Sequence, residues 1–283
     1  MLHLSSEPLA LLYPAFVNAE EVATLLRMSE VVDARDEFAL EPEQLTKAVE
    51  KALIARIEER IGRITGCPPH EEEPPLLLMR QKPAQEAPAA KRPRRHPCAA
   101  ERFPSGLHVD VNGGKPRRFA SAILYLTTPT AGGQTVFPLA EPAGFQVAQP
   151  DERRTAALCA SSQLLKVGTY HTGNSRRAAA RTLESVAKAT PTTATAPTSA
   201  SHVASANGVC SRARAGNLLV FWTRGPGGEV DCRSWHAGEE LGHASHVEKW
   251  ILRKFKEVPT AVFDDIDRRR VFCERSQRAH AKK

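Results

Sequence analysis

Gly106-Leu107-His108-Val109-Asp110 places an imidazole and a carboxylate two residues apart, so on an extended segment both side chains leave the same side. Two neighbouring metal ligands need that geometry. A two-histidine, one-carboxylate site for non-haem iron(II) fills one face of an octahedron and leaves the remaining positions open, so a third ligand has to come from elsewhere. An isolated HxD pair recurs by chance, and its weight rests on its surroundings. Downstream, 118–126 (RFASAILYL) and 216–223 (GNLLVFWT) are rich in branched and aromatic residues and bounded by Gly, Pro or Thr, which predicts strands and a β core. A Gly-rich turn follows the second strand and leads into Asp231-Cys232-Arg233-Ser234-Trp235-His236-Ala237-Gly238. His236 is the candidate third ligand.

Outward from that core, 19–32 carries Val22, Leu25, Leu26 and Met28 at helical spacing, with Asn18 placed to cap the first turn. A second helix is predicted over about 42–63, from the recurrence of Leu45, Val49, Leu53, Ile54, Ile57 and Ile61, with Gly62 at its end. Residues 75–80 (PLLLMR) suit a short strand. From Lys82 to Pro104 the chain is Pro-, Ala- and Arg-rich and reads as a loop insertion. Between Pro138 and Arg214 lies a longer interruption, with helical character over 151–188 and a Thr/Ala/Ser/Pro tract over 189–207. No internal repeat is visible.

The 283 residues suit one elaborated domain. The organisation expected is N-terminal support helices over 1–74, a β core over 75–260 with insertions at about 83–103 and 140–213, and a basic C-terminal tail over 261–283. No stretch nears the ~20 apolar residues a membrane-spanning helix requires, and the N-terminus lacks the charged and apolar regions of a secretory signal. The chain therefore reads as soluble, with cytoplasm or nucleus as the expected compartment. Six cysteines (Cys67, Cys98, Cys159, Cys210, Cys232, Cys273) show no CxxC pairing and are expected as free thiols. The net charge of +7 and pI of 9.2 gather in Lys91–Arg95, Arg268–Arg270 and the terminal lysines. No aromatic or zinc-finger motif accompanies them, which argues against a nucleic-acid function.

Between the two halves of the metal motif lies Ala131-Gly132-Gly133-Gln134-Thr135-Val136-Phe137-Pro138. With HVD before it, and SWHAG and Lys249-Trp250-Ile251 after it, this run closely resembles the prolyl 4-hydroxylase family of iron(II)- and 2-oxoglutarate-dependent dioxygenases. The entry, Glu7-Pro8 followed by YPAFVNAEEVATLL, also looks like that family's N-terminal strand and helix. The resemblance implies a double-stranded β-helix, or jelly roll, with flanking N-terminal helices and a helical insertion. It implies iron(II) ligated by His108, Asp110 and His236, and 2-oxoglutarate as co-substrate with its distal carboxylate on Lys249. Arg253 is the rival anchor. Tyr125 and Thr135 are further candidates for that carboxylate, Tyr125 having an ordinary core role as its alternative. L-ascorbate would re-reduce the iron, and the substrate would be a peptide or protein containing proline, converted to 4-hydroxyproline with release of succinate and carbon dioxide.

Three departures stand out. Arg80-Gln81 occupies the place of the family's Arg-Tyr, Gln134 that of a Glu, and the stretch from His236 to Lys249 is longer than the family's. Two other readings compete: a jelly-roll module that binds partners without catalysis, and a cupin-like metal enzyme on the same architecture. The same oxygenase chemistry on another side chain, a small molecule or a nucleic acid is a further alternative.

Overall fold

The computed structural model describes residues 1–30, 37–41, 45, 47–83, 108–111, 115–143, 202–205, 208–242, 244–278 and 280. In chain order the elements are β1 (Leu2–Glu7), β2 (Leu9–Tyr13), α1 (Ala19–Glu30), β3 (Glu37–Leu40), α2 (Ala48–Thr65), β4 (Leu76–Gln81), β5 (Arg118–Tyr125), β6 (Thr135–Phe137) and β7 (Glu141–Pro142). Then come β8 (His202–Ser205), β9 (Gly208–Ser211), β10 (Leu218–Trp222), a 3-10 turn (Cys232–Ser234), β11 (Ala237–Gly238), β12 (Lys249–Glu257), α3 (Thr260–Phe263) and α4 (Ile266–Arg278). The strands form an eight-stranded sheet in the order β3-β4-β12-β5-β10-β2-β1-β7 and a four-stranded sheet in the order β11-β6-β9-β8. Every pairing is antiparallel.

Period-two alternation divides the large sheet into two faces. Leu78, Ala120, Ala122, Leu124, Val220 and Leu252 pack with Leu53, Ile54, Ile57 and Ile61 of α2 and with Leu25 of α1. Their strand neighbours Ile123, Tyr125, Leu219 and Phe221 turn the other way, onto Phe137 and Val209 of the small sheet. The molecule is thus a sandwich of two antiparallel sheets with helices on the outer face of the larger one.

The helices form where their patterns and caps agree. Asn18 Oδ1 accepts from the Glu21 amide while Glu21 Oε2 accepts from the Asn18 amide, each at 2.9 Å. This reciprocal capping box satisfies two amides that the first turn leaves without helical partners. The helix read over 42–63 is α2 at Ala48–Thr65, and its end is not Gly62. Gly62 lies inside the helix, where an added Cβ would sit 3.0 Å from the Cys67 carbonyl oxygen of the returning chain. The terminating glycine is Gly66, left-handed at φ 65°, whose cap closes onto the Gly62 carbonyl.

Four other expectations need amending. The N-terminal region of support helices also contributes β1, β2 and β3 to the large sheet. The segment read as a basic tail holds α3 and α4. Trp222 Nε1 donates to Ser276 Oγ at 2.8 Å and Ser276 Oγ donates to the Thr65 carbonyl at 2.5 Å, so α4 ties β10 to the end of α2. The far end of the second insertion is sheet: in β9, Val209 and Cys210 are fully buried and pair with β6. The helical reading over 151–188 and most of the first insertion lie outside the described residues. Cys67, Cys210 and Cys273 are buried thiols outside any disulfide, as expected, but Cys232 is disulfide-bonded. Spacing along the chain did not announce that bond, because a disulfide is decided by how closely the fold brings two backbones together. Among the described residues no helix is long and apolar enough to cross a membrane.

Candidate metal centre

His108 and His236 face each other across a two-residue antiparallel bridge. The His108 amide donates to the His236 carbonyl and the His236 amide donates back, both at 3.0 Å. This reciprocal pair fixes the two backbones, so the rings, with centroids 4.5 Å apart, are positioned by main chain rather than by their own rotamers. Asp110 follows two residues after His108. Its Oδ1 lies 3.5 Å from His108 Nε2 and its Oδ2 lies 3.6 Å from His236 Nε2. The three donor atoms fall within 4.8 Å of one another, so the structure brings all three sequence-predicted ligands to one point.

The supports around them set protonation. His236 Nδ1 lies 2.9 Å from the Ser234 carbonyl oxygen, which requires the proton on Nδ1 and leaves the Nε2 lone pair facing Asp110. The 3-10 turn that delivers His236 is capped by Asp231, whose side chain accepts from the Arg233 amide at 2.8 Å. Burial pushes the His236 imidazole down to about 4, with Asp110 pulling the other way, so it is neutral at physiological pH. Burial would raise Asp110, but His236, His108 and the Ser121 hydroxyl outweigh it and hold the carboxylate well below its usual range. Ser121 Oγ donates to Asp110 Oδ2 at 2.5 Å, and Arg118 donates to the Asp110 carbonyl at 3.1 Å. Two imidazoles and one carboxylate form a donor set suited to a divalent first-row cation, and iron(II) fits it.

His108, Asp110 and His236 open into a cavity of about 630 Å³, which Thr135 and Lys249 also line. Lys249, 5% exposed, stands on β12 opposite Gln81 of β4. Burial draws its ammonium down to about 8, while Glu239 acts in the opposite sense. Tyr125 is fully buried behind Thr135, their hydroxyls 2.8 Å apart, with Lys249 Nζ 5.9 Å from the centre of its ring. Burial pushes the phenol up to about 12, so it stays a neutral hydroxyl. Tyr125 is therefore core, and its hydroxyl braces the threonine that faces the cavity.

The Gly-Gly-Gln-Thr run has a backbone task. Gly132 is left-handed at φ 71°, and a Cβ there would lie 2.1 Å from the Glu240 carbonyl oxygen. Gly133 N donates to that oxygen at 3.2 Å and the Glu239 amide donates to the Gln134 carbonyl at 2.8 Å, so the run zips onto the chain that follows His236. Side chains at 132 or 133 would hold these segments apart. Gln81, standing where the family carries tyrosine, lines the cavity and donates through Nε2 to the Glu239 carbonyl at 3.1 Å. Gln134 is buried.

Sequence reasoning did not single out Ser121 or Glu37. Ser121 was detectable in principle, as a hydroxyl in an apolar strand on the same face as Ile123 and Tyr125. Glu37 stands on a four-residue strand with no alternation to reveal it. A second cluster, Cys67, His70 and Glu73, also gathers potential ligands. Two of its groups are engaged within the fold: Lys256 Nζ lies 2.6 Å from the Glu73 carboxylate, and His70 Nε2 is 3.0 Å from the Glu257 carbonyl oxygen.

No protein-family model matches the chain, and no curated protein matches it. Among solved structures it is similar to the viral collagen prolyl hydroxylase of Paramecium Bursaria Chlorella virus-1 in its 2OG complex, at 14% identity over 87% of this chain and 93% of that chain, with a TM-score of 0.46. It is similar to a prolyl-4-hydroxylase of Pseudomonas putida at 14% identity, over 89% of this chain and 94% of that one, with a TM-score of 0.41. It is also similar to HygX of Streptomyces hygroscopicus with nickel and 2-oxoglutarate bound, at 11% identity over 89% and 82%, with a TM-score of 0.41.

Proposed function

We propose that this chain is an iron(II)- and 2-oxoglutarate-dependent dioxygenase with a double-stranded β-helix core, acting on a peptidyl residue, with proline to 4-hydroxyproline as the preferred reaction. The observation that carries the reading is the convergence of His108, Asp110 and His236 in one cavity that also holds a buried lysine. A buried ammonium with no hydrogen bond or salt bridge among the described residues is costly unless an anion is meant to meet it. Lys249 is that group, and the distal carboxylate of 2-oxoglutarate is the anion of matching charge.

In this reading each side chain has one task. His108, Asp110 and His236 would hold the metal at the wall of the cavity. Lys249 takes the distal carboxylate through a charge-assisted hydrogen bond, stronger than a neutral one. Thr135, braced by Tyr125, offers a hydroxyl beside it, and Ser121 keeps the Asp110 carboxylate in place. Bound iron(II) with 2-oxoglutarate and dioxygen supplies the oxidant for an unactivated C–H bond, releasing succinate and carbon dioxide. The protein contributes positioning and a shielded volume; no side chain is needed as a general base. L-ascorbate serves as reductant after turnovers that go astray.

The test is succinate formation from 2-oxoglutarate with iron(II) and ascorbate, with and without a proline-rich peptide, in wild type, His108→Ala and Lys249→Ala. Peptide-stimulated succinate that both substitutions remove is the expected result. Metal binding with no succinate under any condition would sink the proposal in favour of a non-catalytic binding module.

A further inference from the structure

The cavity carries more positive charge than the proposed cofactor and co-substrate use. A metal dication, Asp110, the 2-oxoglutarate dianion and Lys249 cancel one another. What remains along the lining, besides Arg80 stacked on Trp250, is Lys82 and Arg253 against the single carboxylate of Glu37. Arg253 is the best placed of these. It lies four residues beyond Lys249 on β12, so it shares that face of the sheet, roughly 13 Å further along the strand.

The guanidinium of Arg253 is held but under-used. It stacks 4.4 Å from the ring centre of Phe255, which keeps it over the cavity. Its Nε is buried and has no hydrogen-bond partner. Its one anionic contact among the described residues is Glu37, 3.5 Å from one terminal nitrogen, through a side chain that is half exposed. An arginine can donate two parallel hydrogen bonds to a carboxylate, and this single long contact falls well short of that. Glu37 therefore marks a place where a carboxylate fits while leaving the fork open.

We propose that Arg253 forms a subsite for an acidic side chain of the peptide substrate, so that the enzyme selects a target residue flanked by aspartate or glutamate. The inference rests on the peptide-oxygenase reading above. It assigns Arg253 to the substrate, in place of the rival role as 2-oxoglutarate anchor.

The experiment is equilibrium binding of three fluorescein-labelled peptides of equal length, each with a central proline flanked by Glu, Gln or Lys, to the protein loaded with iron(II) and 2-oxoglutarate under argon. Anisotropy reads binding without turnover. The expected order is Glu, then Gln, then Lys, with about tenfold between the extremes, and Arg253→Glu reverses it. Arg253→Gln levels the order and guards against a folding defect in the charge reversal. Arg268→Glu on α4, whose side chain is 70% exposed, leaves the order unchanged and so excludes the overall positive field. Equal binding of the three peptides to wild type overturns the subsite and leaves the peptide reading standing, whereas no binding by any of them overturns that reading and the inference with it. A loss of 2-oxoglutarate affinity in Arg253→Gln as large as in Lys249→Ala reassigns Arg253 to the co-substrate and overturns the inference alone.

Discussion

Lys254 and Lys256 leave β12 on the helix side of the large sheet, while Lys249 leaves it on the cavity side. All three are buried, at 4%, 1% and 5% exposure. Lys254 Nζ lies 2.5 Å from Glu58 of α2, and Lys256 Nζ lies 2.6 Å from Glu73, which is itself fully buried. Among the described residues Lys249 forms no such ion pair, and Glu239 only partly offsets its burial. One strand thus presents the same residue to two environments: ion pairs closed within the fold, and a charge left for something from outside. Structural networks satisfy their members internally, and binding sites leave a member unsatisfied at a cost in stability.

The sharpest break between the faces should come from the ligands. Asp110→Asn is expected to abolish iron(II) binding and reduce succinate formation by about a thousandfold or more, since a three-donor site loses its only charge. The melting temperature should fall only modestly, because the neighbours that hold the Asp110 carboxylate below its usual range lose a charged partner. Titration with iron(II) under argon, alongside a thermal melt, separates the two effects. A large fall in melting temperature would show that Asp110 is a structural group like Glu73.

Next in size is one substitution made at two positions of β12. Lys256→Met takes the nearest cation from the buried Glu73 carboxylate, leaving Lys254 at 3.6 Å and His70 at 3.3 Å, and should destabilise the fold by about 3–5 kcal/mol. Lys249→Met removes an ammonium that burial has drawn from 10.5 to about 8, a penalty on the order of 3 kcal/mol, and should stabilise the apo-protein. The same variant should weaken 2-oxoglutarate binding by about a hundredfold, the range expected when one partner of a buried charged hydrogen bond is truncated. Denaturant melts at pH 7 read both signs. If both variants destabilise alike, the contrast between the faces is wrong.

A smaller effect belongs to Ser121. Ser121→Ala removes the 2.5 Å hydrogen bond on Asp110 Oδ2 and should lower metal affinity about 10–100-fold, the usual cost of losing a group that orients a ligand. Ser121→Thr, which keeps the hydroxyl, should restore most of it. Competition against a calibrated chelator is the measurement, and unchanged affinity in Ser121→Ala would make the hydrogen bond incidental.

These four positions were not equally legible in the sequence. His108, Asp110, His236 and Lys249 stood out because a dense motif surrounds them, and β5 and β10 because apolar runs between turn residues read as strands. Ser121 did not, since one serine within RFASAILY looks like a small core residue until the strand register shows which face it takes. Gly62 was taken for a helix end because a glycine after an apolar repeat commonly is one, and only the chain returning over it shows that it serves close packing. The C-terminal helix α4 was hidden by its arginines: its buried side is little more than Cys273 and Ser276, too thin a stripe for periodicity to reveal. The disulfide at Cys232 and the subsite at Arg253 both depend on distances between remote segments.

The smallest expected effect is the one that tests Lys249 without changing it. In the cofactor-free protein its ammonium titrates at about 8, lowered by burial and partly restored by Glu239. A lysine with a depressed folded value carries its penalty while protonated, so this group costs stability below pH 8 and relieves that cost as pH rises from 8 toward 10.5. Binding has the opposite sense, because only the ammonium attracts a carboxylate. Affinity for 2-oxoglutarate should therefore be flat up to about pH 7 and fall by roughly tenfold by pH 9, as the protonated fraction drops below one in ten. Lys249→Arg, charged throughout that range, should bind with little pH dependence even if its larger head fits less well. Titration of 2-oxoglutarate into the metal-loaded protein from pH 6.5 to 9 gives both curves. A wild-type affinity that stays level to pH 9 would place the carboxylate on another cation, with Arg253 the first to examine.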